Sequence, residues 1–270
     1  MASPLFDLTG KVAVITGAAR GLGRAMSLAL AEHGADLVLV DLNLEGASQT
    51  AGEIESLGRR AVPVACNVSD LDQVRGVFER VDAEFGRIDF LANIAGEAYR
   101  GRPESLSIDD VRKTIDSLVI ARFYACQEAG KRMLAQKDSQ GRTGGSIVNI
   151  GSIASVTALG RGHFAYSMGM GAVAQMTREL STEWAGRGIR VNAILPAQVL
   201  NPDLESRIAA DPKLKDKFLS GIPTGRLGTP DDIKGLAVFL ASDSSRWITG
   251  ALIPMDGGNL AMNAGGSLNV

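Results

Sequence analysis

The apolar run Val12-Ala-Val-Ile-Thr16 leads directly into Gly17-Ala-Ala-Arg20-Gly21-Leu22-Gly23, and from there into a helical pattern over Ala25 to Gly34. A short β-branched run closed by glycine reads as a buried strand. Glycines let the backbone approach a ligand, and the start of a helix offers unpaired N–H groups and a positive dipole end. Strand, turn and helix in succession therefore form a cradle for an anion such as a phosphate. A second strand, Asp36 to Val40, ends in Asp41. That position is about 20 residues past the loop, where a dinucleotide fold places the acid that binds the adenosine ribose hydroxyls. A tight turn followed by an ordinary exposed aspartate is the plainer alternative, and the second strand at this spacing argues against it.

The same alternation continues along the chain. A helix over Leu44 to Leu57 stops at Gly58, and strand three covers Ala61 to Val68. A helix over Leu71 to Phe85 precedes strand four, Ile88 to Gly96. The polar stretch Glu97 to Pro103 reads as a loop at the carboxyl edge of that strand. A long helix, Ile108 to Gln136, then leads to a loose connection from Lys137 to Gly145. Strand five is Ser146 to Ile150, a helix runs from Tyr166 to Gly186, and strand six is Ile189 to Pro196. Ala197 to Gly225 is irregular, with prolines flanking a charged helical piece, and reads as a substrate lid or a surface excursion. Thr229-Pro230-Asp231-Asp232 opens a last helix, since it supplies an N-cap with proline at the first turn. Ala251 to Met255 is the final strand. Strands alternating with helices of a dozen residues predict an α/β fold, a doubly wound parallel sheet of the Rossmann type.

With 270 residues and no repeat or linker, the chain reads as a single domain. Its nucleotide-binding half covers about 10–145 and its catalytic and substrate half about 146–258. Net charge is −2 with dispersed Lys and Arg, which argues against a nucleic-acid or anionic-membrane surface. No apolar run approaches the roughly 20 residues that span a bilayer. The N-terminus has neither a basic leader nor an apolar signal region, so a cytoplasmic location is the expectation. Cys66 and Cys126 read as small core residues rather than a disulfide. The two cysteines and two histidines, far apart, form no metal set.

Read together, these motifs resemble the short-chain dehydrogenase/reductase family (SDR) over about Gly10 to Gly258. Thr16 to Gly23 is similar to its cofactor loop. Asn93-Ile94-Ala95-Gly96 is similar to its Asn-Asn-Ala-Gly strand without the second asparagine, and Pro196-Ala197 stands where the family has Pro-Gly. Pro223 to Asp232 and Asp256-Gly257-Gly258 are similar to its C-terminal signature. The resemblance implies an NAD(P)-dependent oxidoreductase acting on a small-molecule secondary alcohol or ketone, and a homotetramer assembled through the helices around Leu118 and Tyr166 and the last strand.

For the site, the resemblance implies Tyr166 as the group that exchanges the hydroxyl proton and Ser152 as the hydrogen-bond partner of the substrate oxygen. Cofactor contacts fall on Gly17, Arg20, Gly21, Leu22, Gly23, Asp41, Asn67, Val68, Asn93, Ala95, Gly96, Tyr166, Pro196 and Val199. Asn201 stands near the place of a threonine that meets the carboxamide. Asp41 favours NAD over NADP, because an acid repels a 2′-phosphate. The chain departs from the pattern twice: Met170 stands where the family has the lysine that assists the tyrosine, and Leu118 where it has the asparagine of the proton relay. Paired apolar replacements avoid stranding a buried polar partner, so the two positions read as changed together.

His163 and Glu97 are candidates for a substitute base, with loop residues of no special role as the plainer reading. Arg100, Arg102 and Arg161 either favour an anionic substrate or are simply solvated. Three functions stay open: an NAD-dependent dehydrogenase with an atypical proton route, a catalytically silent NAD-binding protein acting through assembly, or an enzyme that holds NAD for non-redox chemistry.

Overall fold

The computed structural model describes residues 4–137 and 144–262. Seven strands form one parallel sheet in the order β3-β2-β1-β4-β5-β6-β7. They are β1 (Val12–Thr16), β2 (Asp36–Asp41), β3 (Ala61–Ala65), β4 (Phe90–Asn93), β5 (Gly145–Ile150), β6 (Ile189–Pro196) and β7 (Leu252–Met255). The helices are α1 (Gly21–Glu32), α2 (Leu44–Ser56), α3 (Leu71–Phe85), α4 (Ile108–Ile115), α5 (Ala121–Ala135), α6 (Phe164–Trp184), α7 (Pro202–Ala210), α8 (Lys213–Leu219), α9 (Lys234–Ala241) and α10 (Asn259–Met262). Successive strand residues point to opposite faces, and both faces are covered. Ala13 and Ile15 of β1 join Met26, Leu30 and Leu39 in one core. Val14, between them, joins Phe78, Leu91, Met133 and Ile147 in the other. A strand buried on both sides cannot alternate polar and apolar, which is why these strands read as continuous apolar runs.

Strand order reverses between β1 and β4, and the two carboxyl ends diverge there into a crevice. Thr16 fixes its floor: the hydroxyl accepts the N–H groups of Ile94 at 2.9 Å and Ala95 at 3.1 Å and donates to the Ala92 carbonyl at 3.3 Å. A second tie runs through the core. The Asn93 amide donates to Asn149 Oδ1 at 3.0 Å, and the Asn149 amide donates to Thr177 Oγ1 at 3.1 Å. Strands β4 and β5 are thereby pinned to α6, the helix that carries Tyr166.

Several elements differ from expectation. Strand three stops at Ala65 rather than Val68 and strand four covers Phe90–Asn93 rather than Ile88 to Gly96, because the crevice takes the chain out of the ladder there. Cys66 consequently lies just past β3, and both cysteines are free and buried. The helix expected from Ile108 to Gln136 is interrupted by a π-helical turn at Asp116–Ile120, so Leu118 sits at a break between α4 and α5. The lid region holds two short helices, α7 and α8, around a small cluster of Leu204, Phe218, Ile222 and Leu227. Most of the connection read across Lys137 to Gly145 lies outside the described residues.

Candidate active site

A groove of about 570 Å³ opens at the strand reversal. The loop after β1 forms one wall with Gly17, Arg20, Gly21, Leu22 and Gly23; Asp41, Asn67 and Val68 lie along one end; and Ala95, Gly96 and Val199 close the other. Glycine is needed at two of these positions. Gly17 has φ +74°, and a Cβ on Gly23 would lie 2.0 Å from the Gly17 carbonyl oxygen, so only glycine lets α1 start flush against the loop. Asp41 ends β2 and is held by the backbone: Oδ2 accepts Ala19 N–H at 3.0 Å and Oδ1 accepts Asn43 N–H at 2.9 Å. Arg20 approaches Asp203 of α7 at 3.9 Å across the groove, an exposed pair worth little by itself. Asn201 also lines the groove and caps α7, its Oδ1 accepting Leu204 N–H at 3.0 Å. Of the anticipated cofactor residues, Asn93, Tyr166 and Pro196 are not among those lining the groove: the Asn93 side chain bonds Asn149, Tyr166 lies in the first turn of α6 and Pro196 ends β6.

Ser152 follows β5 and is buried. Its Oγ accepts Ala154 N–H at 3.1 Å, and its own N–H donates to Ser155 Oγ at 3.3 Å. That reciprocal cap fixes the oxygen and leaves its proton free to point elsewhere. Tyr166 lies in the first turn of α6 and is half-buried. It packs on a small cluster of Leu118, Ala154 and Met170 that also receives Ala98, Val119 and Leu159. Leu118 is boxed in by backbone, since a Cβ on Gly96 would lie 2.7 Å from its Cδ2 and one on Gly169 would lie 3.3 Å from its Cδ1. Ser152 after β5 and Tyr166 on α6 are thus joined through Ala154, and Leu118 of the same apolar cluster lies against Gly96 of the groove.

One charged residue in this region escaped the sequence reading. Arg122, in the first turn of α5, is 4% exposed. Its guanidinium donates to the carbonyls of Ile150, of Ile94 at 3.2 Å and of Ala95 at 3.3 Å. Burial pushes it down to about 10, opposed by the Tyr166 phenol and then by Cys126. The only signal available was an arginine one turn beyond Leu118 in an otherwise small and apolar stripe.

His163 precedes α6, and its ring meets the Tyr166 ring edge-on with centroids 6.1 Å apart. Gly101 N–H donates to the Gly162 carbonyl at 3.0 Å, which brings the loop bearing Arg100 alongside. Partial burial holds His163 below its usual range; Arg100 and Arg161 push the same way, and the Gly160 carbonyl opposes them. Arg161 adopts φ +56° and lies over the Phe218 ring of α8 at 5.4 Å. Arg102 faces Glu104 at 3.9 Å, and Glu97 is exposed on the groove, its N–H donating to Ser117 Oγ at 2.9 Å.

The depressed histidine makes a stability prediction. The unfolded chain takes up this proton near pH 6.5 and the folded one only at lower pH, so His163 costs stability as pH falls through that window and nothing above it. His163→Gln should therefore gain stability relative to the wild type at pH 5 compared with pH 7.5. Urea midpoints of both proteins at the two pH values check this, and an unchanged difference would contradict it.

Comparisons with known proteins agree with this architecture. The family model described as enoyl-(acyl carrier protein) reductase matches residues 17–259. A D-threitol dehydrogenase of Mycolicibacterium smegmatis is 42% identical over 253 residues, 94% of each chain. A 2-dehydro-3-deoxy-D-gluconate 5-dehydrogenase of Pseudoalteromonas atlantica is 38% identical over 94% of this chain and 97% of its own. The crystal structure of a short-chain type dehydrogenase/reductase from Mycobacterium marinum superposes with a TM-score of 0.86 at 30% identity, over 94% of this chain and 97% of that one.

Proposed function

Since the chain belongs to the short-chain dehydrogenase/reductase family of oxidoreductases, we propose that it is an NAD-dependent dehydrogenase of small polyhydroxylated secondary alcohols, working through Ser152 and Tyr166 without a lysine at position 170. What supports this reading is that Ser152 follows β5, that Tyr166 packs against Ala154 two residues beyond it, and that Leu118 of the same cluster lies against Gly96 of the groove. The groove residues fit a nicotinamide dinucleotide: the glycine loop and the start of α1 suit the pyrophosphate, and Asp41 suits a free 2′-hydroxyl. When bound, the nicotinamide supplies the hydride acceptor or donor. Ser152 holds the substrate oxygen. Tyr166 takes the hydroxyl proton in oxidation and returns it in reduction. The threitol and sugar-acid substrates named for the relatives support a polyhydroxylated substrate here, and Arg100 and Arg161, which act on His163 beside Tyr166, suit one bearing a carboxylate.

The apolar packing of Leu118 and Met170 favours a second reading, a catalytically silent NAD-binding protein acting through assembly. Ile120, Phe123, Phe164 and Met168 are exposed on the π turn, α5 and α6, which suits a homotetramer formed through these helices. No helix among the described residues is long and apolar enough to cross a membrane, and a cytoplasmic location is part of the proposal.

The test is NADH formation with a panel of alditols and aldonates, run with NAD and with NADP. NAD should be preferred at least tenfold. Asp41→Ala should narrow that preference by about tenfold, the scale of one charge-assisted hydrogen bond. An NADP preference in the wild type would overturn the cofactor assignment.

A further inference from the structure

Arg161 lies on the segment that joins Ser152 to Tyr166. Among the described residues it is the one side-chain-bearing position with a left-handed backbone, φ +56°, and Gly160 at +64° and Gly162 at +76° flank it. A Cβ opposes that conformation, which persists where surrounding contacts hold it, often at ligand clamps. Two contacts hold this one. Gly101 N–H donates to the Gly162 carbonyl at 3.0 Å, so Arg100 and Arg161 immediately precede a bonded pair. On the other side, the Arg161 guanidinium lies over the Phe218 ring, 5.4 Å from its centroid.

Phe218 is 8% exposed and packs in the lid with Leu204, Ile222 and Leu227. Leu200 packs on the same cluster and also lines the groove. His163, two residues after Arg161, sets its ring 6.1 Å from that of Tyr166. Arg161 is therefore linked to the groove through the lid and to the tyrosine through His163. Neither Arg161 nor Arg100 has an ion-pair partner among the described residues, and both are exposed. A guanidinium whose face rests on a ring keeps its in-plane N–H donors free, and that fork matches a carboxylate in a two-pronged pair.

We propose that Arg161 selects a sugar acid over an alditol, its in-plane donors receiving the substrate carboxylate beside the lid, with Arg100 as the second cation. This deepens the dehydrogenase reading given above and rests on it for the hydroxyl end of the substrate. Phe218 holds the guanidinium flat, and the left-handed backbone supports its reach across to α8. A neutral alditol in the same place strips water from the two cations without supplying a charge partner, so the pair also discriminates against it.

The test uses acids and alditols matched in carbon chain and configuration, threonate beside threitol and gluconate beside glucitol, with NAD. Arg161→Gln should lower the acid-to-alditol ratio of kcat/KM by about 10- to 100-fold, the loss falling on KM for the acid. Arg161→Lys, with the charge but not the fork, should lie between. Phe218→Leu should lower the ratio by about two- to fivefold, the share of the ring contact. Arg161→Gly guards against misfolding, because glycine adopts this φ freely, and it should lose the preference as Arg161→Gln does.

A second readout needs no turnover. The chain has two histidines, so His33 serves as internal reference for the imidazole resonances of His163. Threonate or gluconate should raise the His163 midpoint by about half a pH unit or more, since a carboxylate nearby favours imidazolium; the alditols should not. Turnover with a ratio unchanged in Arg161→Gln overturns this inference alone. Absence of turnover, with a His163 response to the acids that Arg161→Gln abolishes, sinks the dehydrogenase reading alone. Absence of both overturns the two together.

Discussion

Tyr166→Phe should lower kcat/KM by about 10² to 10⁴-fold, the range of general acid–base catalysis, while weakening NAD binding by no more than roughly tenfold, the scale of a single hydrogen bond. The phenyl ring fills the same place against Leu118, Ala154 and Met170, so packing is retained and only the hydroxyl is lost. Stability should stay within about 1 kcal/mol of the wild type, since the residue is half-buried and its hydroxyl is not part of the core ladder. Measured together, rate, NAD affinity and urea midpoint separate a proton-transfer role from a structural one. A variant that retains its rate would remove Tyr166 from the chemistry.

The second large effect concerns the apolar plug. Met170→Lys alone should destabilise the protein by about 3–5 kcal/mol, because it places an unpaired ammonium in a site now 1% exposed. In a domain of this size that loss lowers Tm by on the order of 10 °C. Leu118→Asn alone strands a buried amide, costing roughly 1–3 kcal/mol. The double variant should cost less than the sum of the singles by about 1 kcal/mol or more, since each polar group then has the other within the same cluster. Strict additivity in thermal or urea unfolding would show that the two positions do not act as a unit.

What the sequence revealed followed from periodicity and punctuation. β1, the glycine turn, α1 and the acid ending β2 were all readable, because β-branched runs, glycine and spacing each report on local backbone geometry. The break at Asp116–Ile120 was not, since a π turn needs neither glycine nor proline and leaves the helical pattern nearly intact. The side-chain direction of Asn93 was not legible for a related reason: a motif places a residue at a strand end, but the pleat decides its face, and here the side chain donates to Asn149. The burial of Arg122 was not legible because arginine in a helix is ordinarily solvated. Its partners are carbonyls 28 residues away on either side, which only the folded sheet brings together. The helices of the lid were too short to print a clear period.

The most direct test of the account is the rate of NADH formation from pH 7 to pH 10, for the unmodified chain and for the Met170→Lys, Leu118→Asn double variant, on the same alditol and aldonate panel. Turnover by the unmodified chain is the expected result, with a rate that rises with pH across this range. An unmodified chain that binds NAD yet turns over no alcohol or ketone in either direction, beside a double variant that does, would contradict it and identify a disabled dehydrogenase.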